Sequence, residues 1–356
     1  MNIIINKCTP EQLKEKPKDM HHLPFGRFFT DHMFLMKYQD GEWGQPQIVP
    51  YQPFTLDPAC AVFHYGQEIF EGMKVFYSQN GSINLFRPYE NAKRFNRSAE
   101  RMCMPTVDEE LFVKAIKELI ILDKEWVPKE KGTSLYIRPT MIATEPAIGL
   151  HSSEEFYFYI ILSPVGPYFK AGFNPTKIYV ASKHIRAAPG GTGEAKTGGN
   201  YAGTLFETEI AKKQGYSQVL WLDSIERKYV EEVGTNNIAF VVNDEILTPE
   251  LDGTILHGIT RKSIIQLAKD LGYKIKETKI ELRKLLEQIE NGECTEAFGM
   301  GTAASISPVG ELFYKGKTYQ INNFEIGKIT QHLYDELIGI QTGEKPDKYG
   351  LIEKII

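Results

Sequence analysis

Cysteine is scarce in this sequence, and the cysteines that are present are too far apart to form a recognisable metal or redox motif. The four of them, Cys8, Cys60, Cys103 and Cys294, include no CxxC pair. This spacing excludes the common zinc and thiol-exchange motifs. It also favours a reducing environment, so we expect a cytoplasmic protein.

The sequence also lacks long hydrophobic runs and any strong excess of one sign of charge. The sequence has 41 lysine and arginine residues against 46 aspartate and glutamate residues, mixed throughout, for a net charge of -5. Without a basic stripe, we expect no nucleic-acid partner. No apolar stretch is long enough for a membrane helix, and the first 20 residues lack the pattern of a signal peptide. We therefore expect no association with a membrane.

The length of the chain predicts two domains, because 356 residues exceed what a single hydrophobic core usually supports. The stretch SPVGPYFKAGFNP, from Ser163 to Pro175, is rich in proline and glycine and is the most linker-like part of the chain. We predict a smaller N-terminal domain over residues 1–163, a linker over 164–176 and a larger C-terminal domain over 177–356. The hydrophobic content of 42% is ordinary for a globular protein.

The first half of the chain combines strands, one hairpin and amphipathic helices. Asn80-Gly81 between two apolar runs is the strongest of these signals, since Asn-Gly favours a tight hairpin turn. This half is typical of a small α/β or α+β domain. The predicted strands are 34–38, 74–77, 83–86, 134–139 and 156–162, and the predicted helices are 89–102 and 108–126.

The second half alternates strands and helices, which indicates an α/β domain. The predicted strands are 177–182, 218–222, a run within 228–242, 273–275 and a run within 297–313. The predicted helices start near Tyr201 and span 259–271 and 282–290, and a final amphipathic helix follows.

Lys196 stands between two glycine clusters in GGTGEAKTGGNYAGT, just before a predicted helix. Glycine allows a backbone to approach a ligand closely. A lysine in such a loop is a candidate amine nucleophile, provided that its surroundings lower its pKa. The loop alone is also compatible with a flexible surface segment and a solvated lysine, which is the commoner situation.

Further stretches could bind anions, although each is a weak signal alone. The helix after Gly258 starts with Ile259 and Thr260, and its free N–H groups and dipole suit a phosphate. Arg138 lies in an apolar strand beside Pro139, where an arginine needs an anionic partner or access to solvent. The remaining signals are a glutamate pair in VEEVGTNN, a glycine turn in AFGMGTAAS and four basic residues on the helix 89–102, namely Lys93, Arg94, Arg97 and Arg101.

Taken together and in this order, these stretches resemble the branched-chain amino-acid aminotransferases. These are the larger type of the D-amino-acid-aminotransferase-like, fold type IV pyridoxal-phosphate enzymes. The resemblance runs from about Pro24 onward and includes FTDHM, FEGMK, LFRP, SLYIRP, EPAIG, KTGGNY, VLWLD, EEVGTNN and FGMGTA. It implies a two-domain α/β (α+β) fold, pyridoxal 5'-phosphate held between the domains, and a homodimer.

The resemblance also implies roles for individual residues that bind the cofactor. Lys196 matches the Schiff-base lysine, and Tyr201 matches the tyrosine that hydrogen-bonds the phenolic oxygen of the cofactor. Glu232 matches the carboxylate that pairs with the pyridine nitrogen. That carboxylate keeps the nitrogen protonated, which makes the ring an electron sink. The phosphate would be bound by Arg94, Ile259, Thr260 and Thr302. Thr235 would also contact the cofactor.

On the substrate side, the resemblance implies an aromatic wall with one polar corner. Arg138 and two tyrosines would bind the distal carboxylate of glutamate, and Leu150 would come from the partner subunit. The residues that the resemblance implies for substrate binding are Phe25, Tyr65, Phe70, Tyr136, Arg138, Leu150, Thr302 and Ala303. Ala304 and Ser307 stand where mammalian members carry a redox-sensing CxxC pair, so we expect no such switch.

The implied activity is reversible transfer of an amino group between leucine, isoleucine or valine and 2-oxoglutarate, which gives branched-chain 2-oxo acids and glutamate. Two alternatives stay open. One is a related pyridoxal-phosphate enzyme that acts on D-amino acids or releases pyruvate from aminodeoxychorismate. The other is a binding protein that keeps the fold without turnover.

Overall fold

The computed structural model describes residues 1–167 and 172–355. The chain divides into two compact units. Unit 1 comprises Met1–Lys170, Ala195–Gly198 and Gly339–Ile356, and unit 2 comprises Ala171–Glu194 and Gly199–Ile338. Of the predicted linker 164–176, residues 168–171 lie outside the described residues, and the predicted domain boundaries stay a prediction.

Most of the sheet-forming segments lie where apolar and β-branched residues are dense. The described strands, in chain order, are β1 (Ile4–Ile5), β2 (His32–Gln39), β3 (Glu42–Trp43), β4 (Gln47–Pro50), β5 (Glu68–Phe70), β6 (Met73–Tyr77), β7 (Ile83–Phe86), β8 (Ser134–Ala143), β9 (Phe156–Val165), β10 (Thr176–Val180), β11 (Gln218–Leu222), β12 (Val230–Val233), β13 (Asn237–Val242), β14 (Glu245–Thr248), β15 (Lys274–Glu277), β16 (Cys294–Gly301), β17 (Ser305–Tyr314), β18 (Lys317–Gln320) and β19 (Ile352–Lys354).

Helix α3 (Glu109–Leu122) has a side-chain cap at its N-terminus. The Asp108 side chain accepts a hydrogen bond of 2.8 Å from Leu111 N and so caps α3. None of the helices in the described ranges is long and apolar enough to cross a membrane. The α-helices are α1 (Ala61–Tyr65), α2 (Pro88–Arg101), α3 (Glu109–Leu122), α4 (Gly198–Ala202), α5 (Leu205–Lys213), α6 (Ile259–Asp270), α7 (Leu282–Glu290) and α8 (Lys328–Thr342), with 3-10 turns at Pro10–Gln12, Lys124–Trp126 and Asn322–Phe324.

Unit 1 is built on a 10-stranded sheet in the order β1-β4-β2-β9-β8-β6-β7-β19, with β3 paired to β2 and β5 paired to β8. Side chains alternate across each strand. Leu135 and Ile137 of β8 are buried in the core, in the same cluster as Phe95 of α2 and Phe112 of α3. The alternation therefore places Tyr136 and Arg138 on the opposite face of the sheet, away from that core.

Unit 2 is built on a 9-stranded sheet in the order β12-β11-β10-β17-β16-β13-β14-β15, with β18 paired to β17. Strand β12 contains an irregularity that matters for the site. Leu220 pairs with Val233 and Leu222 pairs with Val230, so two residues of β12, Glu231 and Glu232, stand opposite one residue of β11. This is a β-bulge, a feature that bends a strand and redirects its side chains.

The structure confirms the mixed α/β composition and most of the predicted elements. The hairpin around Asn80-Gly81 is formed by β6 and β7, and both β11 and α7 have the predicted bounds. The predicted helix from Tyr201 is two helices, α4 and α5, which are separated at Gly203 and Thr204. Several short elements, including α1, β14, β18 and β19, carry too few residues to show a clear period and were not predicted.

Candidate active site

Lys196 is held firmly in unit 1 through its backbone. Its N–H donates to Ser98 Oγ over 2.9 Å, and its carbonyl accepts from Phe70 N over 3.0 Å. The next residue, Thr197, donates from its hydroxyl to Glu68 O over 2.7 Å. The Lys196 Nζ lies 4.7 Å from the centre of the Phe70 ring. The lysine loop is therefore anchored to β5 and α2 rather than projecting as a free surface loop.

Arg94 is the one basic residue of helix α2 that turns inward. It is buried, whereas Lys93, Arg97 and Arg101 are exposed. Its guanidinium meets the carboxylate of Glu71, with Nε 2.7 Å from Oε1 and Nη2 2.9 Å from Oε2. Burial raises the pKa of Glu71, but the charges of Arg94 and Lys196 outweigh that effect and hold the pKa below its usual range. Glu71 is therefore ionised inside the unit.

Four of the predicted substrate-side residues come together on the outer face of the unit 1 sheet. Arg138 Nη2 donates to the Tyr136 hydroxyl over 3.1 Å, and the guanidinium lies 4.6 Å from the Phe70 ring centre. Phe25 meets Tyr136 edge-on, with 4.9 Å between ring centroids. Among the described residues, the buried Arg138 Nε has no hydrogen-bond partner. A buried donor left in this way can donate to the carboxylate of a ligand.

Tyr65 and Leu150 stand apart from that cluster. Tyr65 is 43% exposed, and its hydroxyl donates to the carbonyl of Ile148. Leu150 is 82% exposed. In the described part of the chain, neither residue makes a hydrogen bond or a ring contact with Phe25, Phe70 or Tyr136.

In unit 2, the bulge in β12 carries Glu232, which is buried and contacts Asn237, Leu256 and Arg186. Its Oε1 accepts from Asn237 Nδ2 over 3.0 Å and from Leu256 N over 3.1 Å. Its Oε2 lies 2.9 Å from Arg186 Nε, a contact with the distance of an ion pair but without the alignment of a hydrogen bond. The arrangement holds the carboxylate in a fixed position and keeps a positive charge beside it.

The other predicted site residues of unit 2 lie in short helices, at a helix start or in turns. Helix α6 begins at Ile259, and the preceding Gly258 has no side chain that could cap the first amides. Ile259 and Thr260 are buried at this positive helix terminus. Thr302 and Ala303 are half-buried in the turn between β16 and β17, Tyr201 is half-buried in α4, and Thr235 is exposed beside Gly234 in the turn after β12.

A comparison with protein families decides the classification. The family described as amino-transferase class IV matches residues 68–312. The chain belongs to this class IV aminotransferase family. Its two-sheet architecture is the fold of that family, so the predicted fold type IV is confirmed.

Individual class IV relatives are similar over nearly their full length. The branched-chain-amino-acid aminotransferase 2 of Bacillus subtilis (strain 168) is 52% identical over 338 residues, which are 94% of this chain and 93% of the relative. The Escherichia coli branched-chain amino acid aminotransferase structure has a TM-score of 0.77 at 27% identity, over 92% of this chain and 99% of that one. The branched-chain aminotransferase of Thermoproteus uzoniensis, solved with norvaline, has a TM-score of 0.75 at 26% identity, over 91% of this chain and 100% of that one.

Sequence reasoning missed several residues that contact the predicted site residues. Glu71 lies within the FEGMK motif, and a buried Arg94 requires such a carboxylate. Ser98 stands four residues after Arg94 on the same helix face, a spacing that could have drawn attention to it. Arg186 and Asn237 are distant in sequence from Glu232, and no local pattern marks them as its partners.

Proposed function

We propose that this chain is a pyridoxal-phosphate-dependent branched-chain amino-acid aminotransferase that exchanges an amino group between leucine, isoleucine or valine and 2-oxoglutarate. The observation that carries the proposal is the cluster of Phe25, Phe70, Tyr136 and Arg138, with the Lys196 amine over the Phe70 ring. Apolar rings suit a branched aliphatic side chain, and the unsatisfied Arg138 Nε suits a carboxylate.

The residues present fit pyridoxal phosphate. When bound, the cofactor supplies an electron sink for the charge that develops at the substrate Cα. Lys196 would hold its aldehyde, Tyr201 its phenolic oxygen and Glu232 its pyridine nitrogen, with Thr235 beside it. The phosphate would be held by the Arg94 guanidinium, the Ile259 and Thr260 amides and Thr302. The uncapped start of α6 and the buried ion-paired Glu232 support this assignment.

The chain's own groups would divide the reaction between them. The Lys196 amine would take the proton from the substrate Cα. It would later return that proton to the carbon atom that carries the amino group after the transfer. The amides of the Thr302-Ala303 turn would hold the substrate α-carboxylate. Arg138 would meet the distal carboxylate when the substrate is glutamate or 2-oxoglutarate, and the aromatic rings would exclude water from the leucine side chain.

We also propose that the enzyme works as a homodimer in the cytoplasm. Three exposed apolar side chains of unit 1 support the dimer: Phe63, Ile148 and Leu150 are 60%, 69% and 82% exposed. The absence of a CxxC pair among the four cysteines supports the cytoplasm. Large exposed apolar residues in one region favour burial against a partner. Leu150 of the partner subunit would then complete the substrate pocket. Analytical ultracentrifugation of the wild type and of Leu150→Asp tests this, and a monomeric, fully active wild type would contradict it.

The activity is tested with a panel of L- and D-amino acids against 2-oxoglutarate. We expect turnover with leucine, isoleucine and valine, and none with D-alanine. Lys196→Ala should abolish turnover, because no other amine replaces it at the site. Lys212→Ala, which changes a lysine exposed on α5, is the matched control and should retain full activity. Activity restricted to D-amino acids, or pyruvate release from aminodeoxychorismate, would replace the proposal with one of those alternatives.

A further inference from the structure

Glu71 is a fully buried carboxylate, with an exposure of 0%. Both of its oxygens are engaged by Arg94, with Nε 2.7 Å from Oε1 and Nη2 2.9 Å from Oε2. Two parallel bonds of this kind fix the plane of a guanidinium as well as its position. The orientation of Arg94 therefore depends on Glu71.

The carboxylate is itself held in place by further donors. Asn91 Nδ2 donates to Oε2 over 2.7 Å, and Gly72 N donates to the same oxygen over 3.1 Å. A buried charge is tolerated only when it is paired and its lone pairs are satisfied. These donors meet that condition, so Glu71 is a rigid support rather than a side chain that can follow Arg94.

The same helix face connects this network to Lys196. Asn91, Arg94 and Ser98 are spaced by three and four residues on α2, so they lie on one side of the helix. Ser98 Oγ accepts from Lys196 N, and Phe70, the neighbour of Glu71, donates to the Lys196 carbonyl. One buried face thus fixes both the guanidinium proposed for the phosphate and the main chain of the proposed catalytic lysine.

We propose that Glu71 is a positioning residue for cofactor binding, which orients Arg94 toward the phosphate of pyridoxal phosphate without contacting the cofactor. This inference rests on the proposed function, because the phosphate role of Arg94 is part of it. A carboxylate could also act in the opposite sense and compete with the phosphate for the guanidinium. The two possibilities predict opposite changes in affinity when the charge of Glu71 is removed.

Glu71→Gln separates them when pyridoxal phosphate and pyridoxal, which lacks the phosphate, are titrated against the cofactor-free enzyme. Glutamine has one acceptor oxygen and an NH2 group in place of the second, so at most one of the two hydrogen bonds to Arg94 can remain. The cofactor Kd, followed by absorbance, should rise at least about tenfold for pyridoxal phosphate, the effect expected for a hydrogen bond to a charged group. The Kd for pyridoxal should stay at the wild-type value.

Three other outcomes would overturn the proposal. Equal losses for both ligands would mean that Glu71 acts through Lys196 or through the fold. Tighter binding of pyridoxal phosphate would mean that Glu71 competes with the phosphate. Unchanged binding would mean that Arg94 is oriented without it. If the wild type itself bound no pyridoxal phosphate, the proposed function would fail instead, so the two failures are distinguishable.

Further variants keep the test decisive if Glu71→Gln folds poorly. Asn91→Ala removes one donor to Glu71 and should give the same phosphate-dependent loss at smaller size. Asp123→Asn is the matched control, because it neutralises another buried carboxylate of unit 1, the partner of His32 at 2.6 Å. It should leave both affinities unchanged. In an Arg94→Gln background, Glu71→Gln should have no further effect on the affinity ratio, and an additive loss would contradict the proposal.

Discussion

Arg138 illustrates how one side chain can serve two substrates of opposite character. Its guanidinium is packed over Phe70 and bonded to the Tyr136 hydroxyl, yet its buried Nε has no acceptor among the described residues. A charged group in this state gains most from a ligand that brings a carboxylate. An aliphatic ligand gains only from the rings around it.

We therefore expect Arg138→Ala to affect glutamate more than leucine. The half-reaction with glutamate should lose about 2 kcal/mol in kcat/KM, the scale of a hydrogen bond to a charged group. The leucine half-reaction should lose less, through the missing stem of the arginine. Single-turnover kinetics with each amino acid separately measures both. Tyr136→Phe, which removes the 3.1 Å bond to Arg138 and a hydroxyl proposed for the same carboxylate, should show the same bias, and equal losses would assign Arg138 to pocket shape.

The adjacent glutamates of β12 should differ in their contribution to turnover. Glu232→Gln should keep the cofactor bound, because the phosphate contacts remain, but lower kcat by about a hundredfold, the scale for removing one group that stabilises developing charge. Glu231→Gln is the matched control, since it makes the same substitution at the neighbouring residue of the same bulge, and it should turn over at the wild-type rate. The reverse result would make Glu231 the partner of the pyridine nitrogen.

Glu231 should instead influence stability through pH. Burial, partly offset by the Thr254 hydroxyl and Arg186, raises its pKa from 4.5 to about 7, and Asp252 and Glu232 add to the increase. Between these values the folded protein binds more protons than the unfolded chain, so the free energy of unfolding falls as pH rises through that window. The melting temperature of cofactor-free Glu231→Gln should therefore exceed that of wild type by more at about pH 8 than at about pH 5. A constant difference would contradict this.

At the scale of secondary-structure elements, helix α2 shows what the sequence can and cannot predict. The sequence predicts the helix at 89–102, and the structure has it at Pro88–Arg101. Its four basic residues are a weak signal for anion binding, and three of them, Lys93, Arg97 and Arg101, are exposed. That Arg94 alone points inward depends on the buried carboxylate of Glu71 on another element, which no pattern within the helix reveals.

Strand β12 shows the same limit in a different way. Its apolar ends predicted a strand, but the bulge that places Glu231 and Glu232 opposite a single residue depends on the register with β11. Register is a property of two strands together. Lys196, by contrast, is a candidate that the sequence alone can indicate, because the glycines beside it and the family motif around it are local; its role stays a prediction.

The start of α6 depends on a glycine for steric reasons. A methyl group at Gly258 would overlap Asn237 Oδ1, and Asn237 is fixed by its bonds to Glu232 and to Leu256 O. Gly258→Ala should therefore lower the free energy of unfolding of the cofactor-free protein by about 1–3 kcal/mol, the usual cost of overpacking. Gly199→Ala is the control, since a methyl group there meets nothing within 4 Å. Urea denaturation measures both, and equal effects would contradict the steric argument.

For the whole molecule, the cysteines suggest resistance to reversible oxidation. Cys60 and Cys294 are buried, and burial raises the pKa of Cys294 to about 12. Burial also raises the pKa of Cys8 and of Cys60, so these thiols form little of the reactive thiolate at neutral pH. Activity should survive mild peroxide. Loss of activity that dithiothreitol restores would show a thiol switch, and a Cys103→Ser variant would then identify whether the exposed cysteine is responsible.

The edge of the unit 1 sheet has a consequence for how the protein is made. Strand β19 pairs with β7, so that Ile352 lies opposite Phe86. N-terminal domains usually fold first while the ribosome is still translating the rest of the chain. Here the unit 1 sheet cannot acquire its last strand until Lys354 has left the ribosome. The segment Ala195–Gly198, which contains Lys196 and belongs to the same unit, is synthesised about halfway through translation of the chain. During synthesis, β7 therefore has one unpaired edge until β19 emerges, and such an edge can pair with another chain.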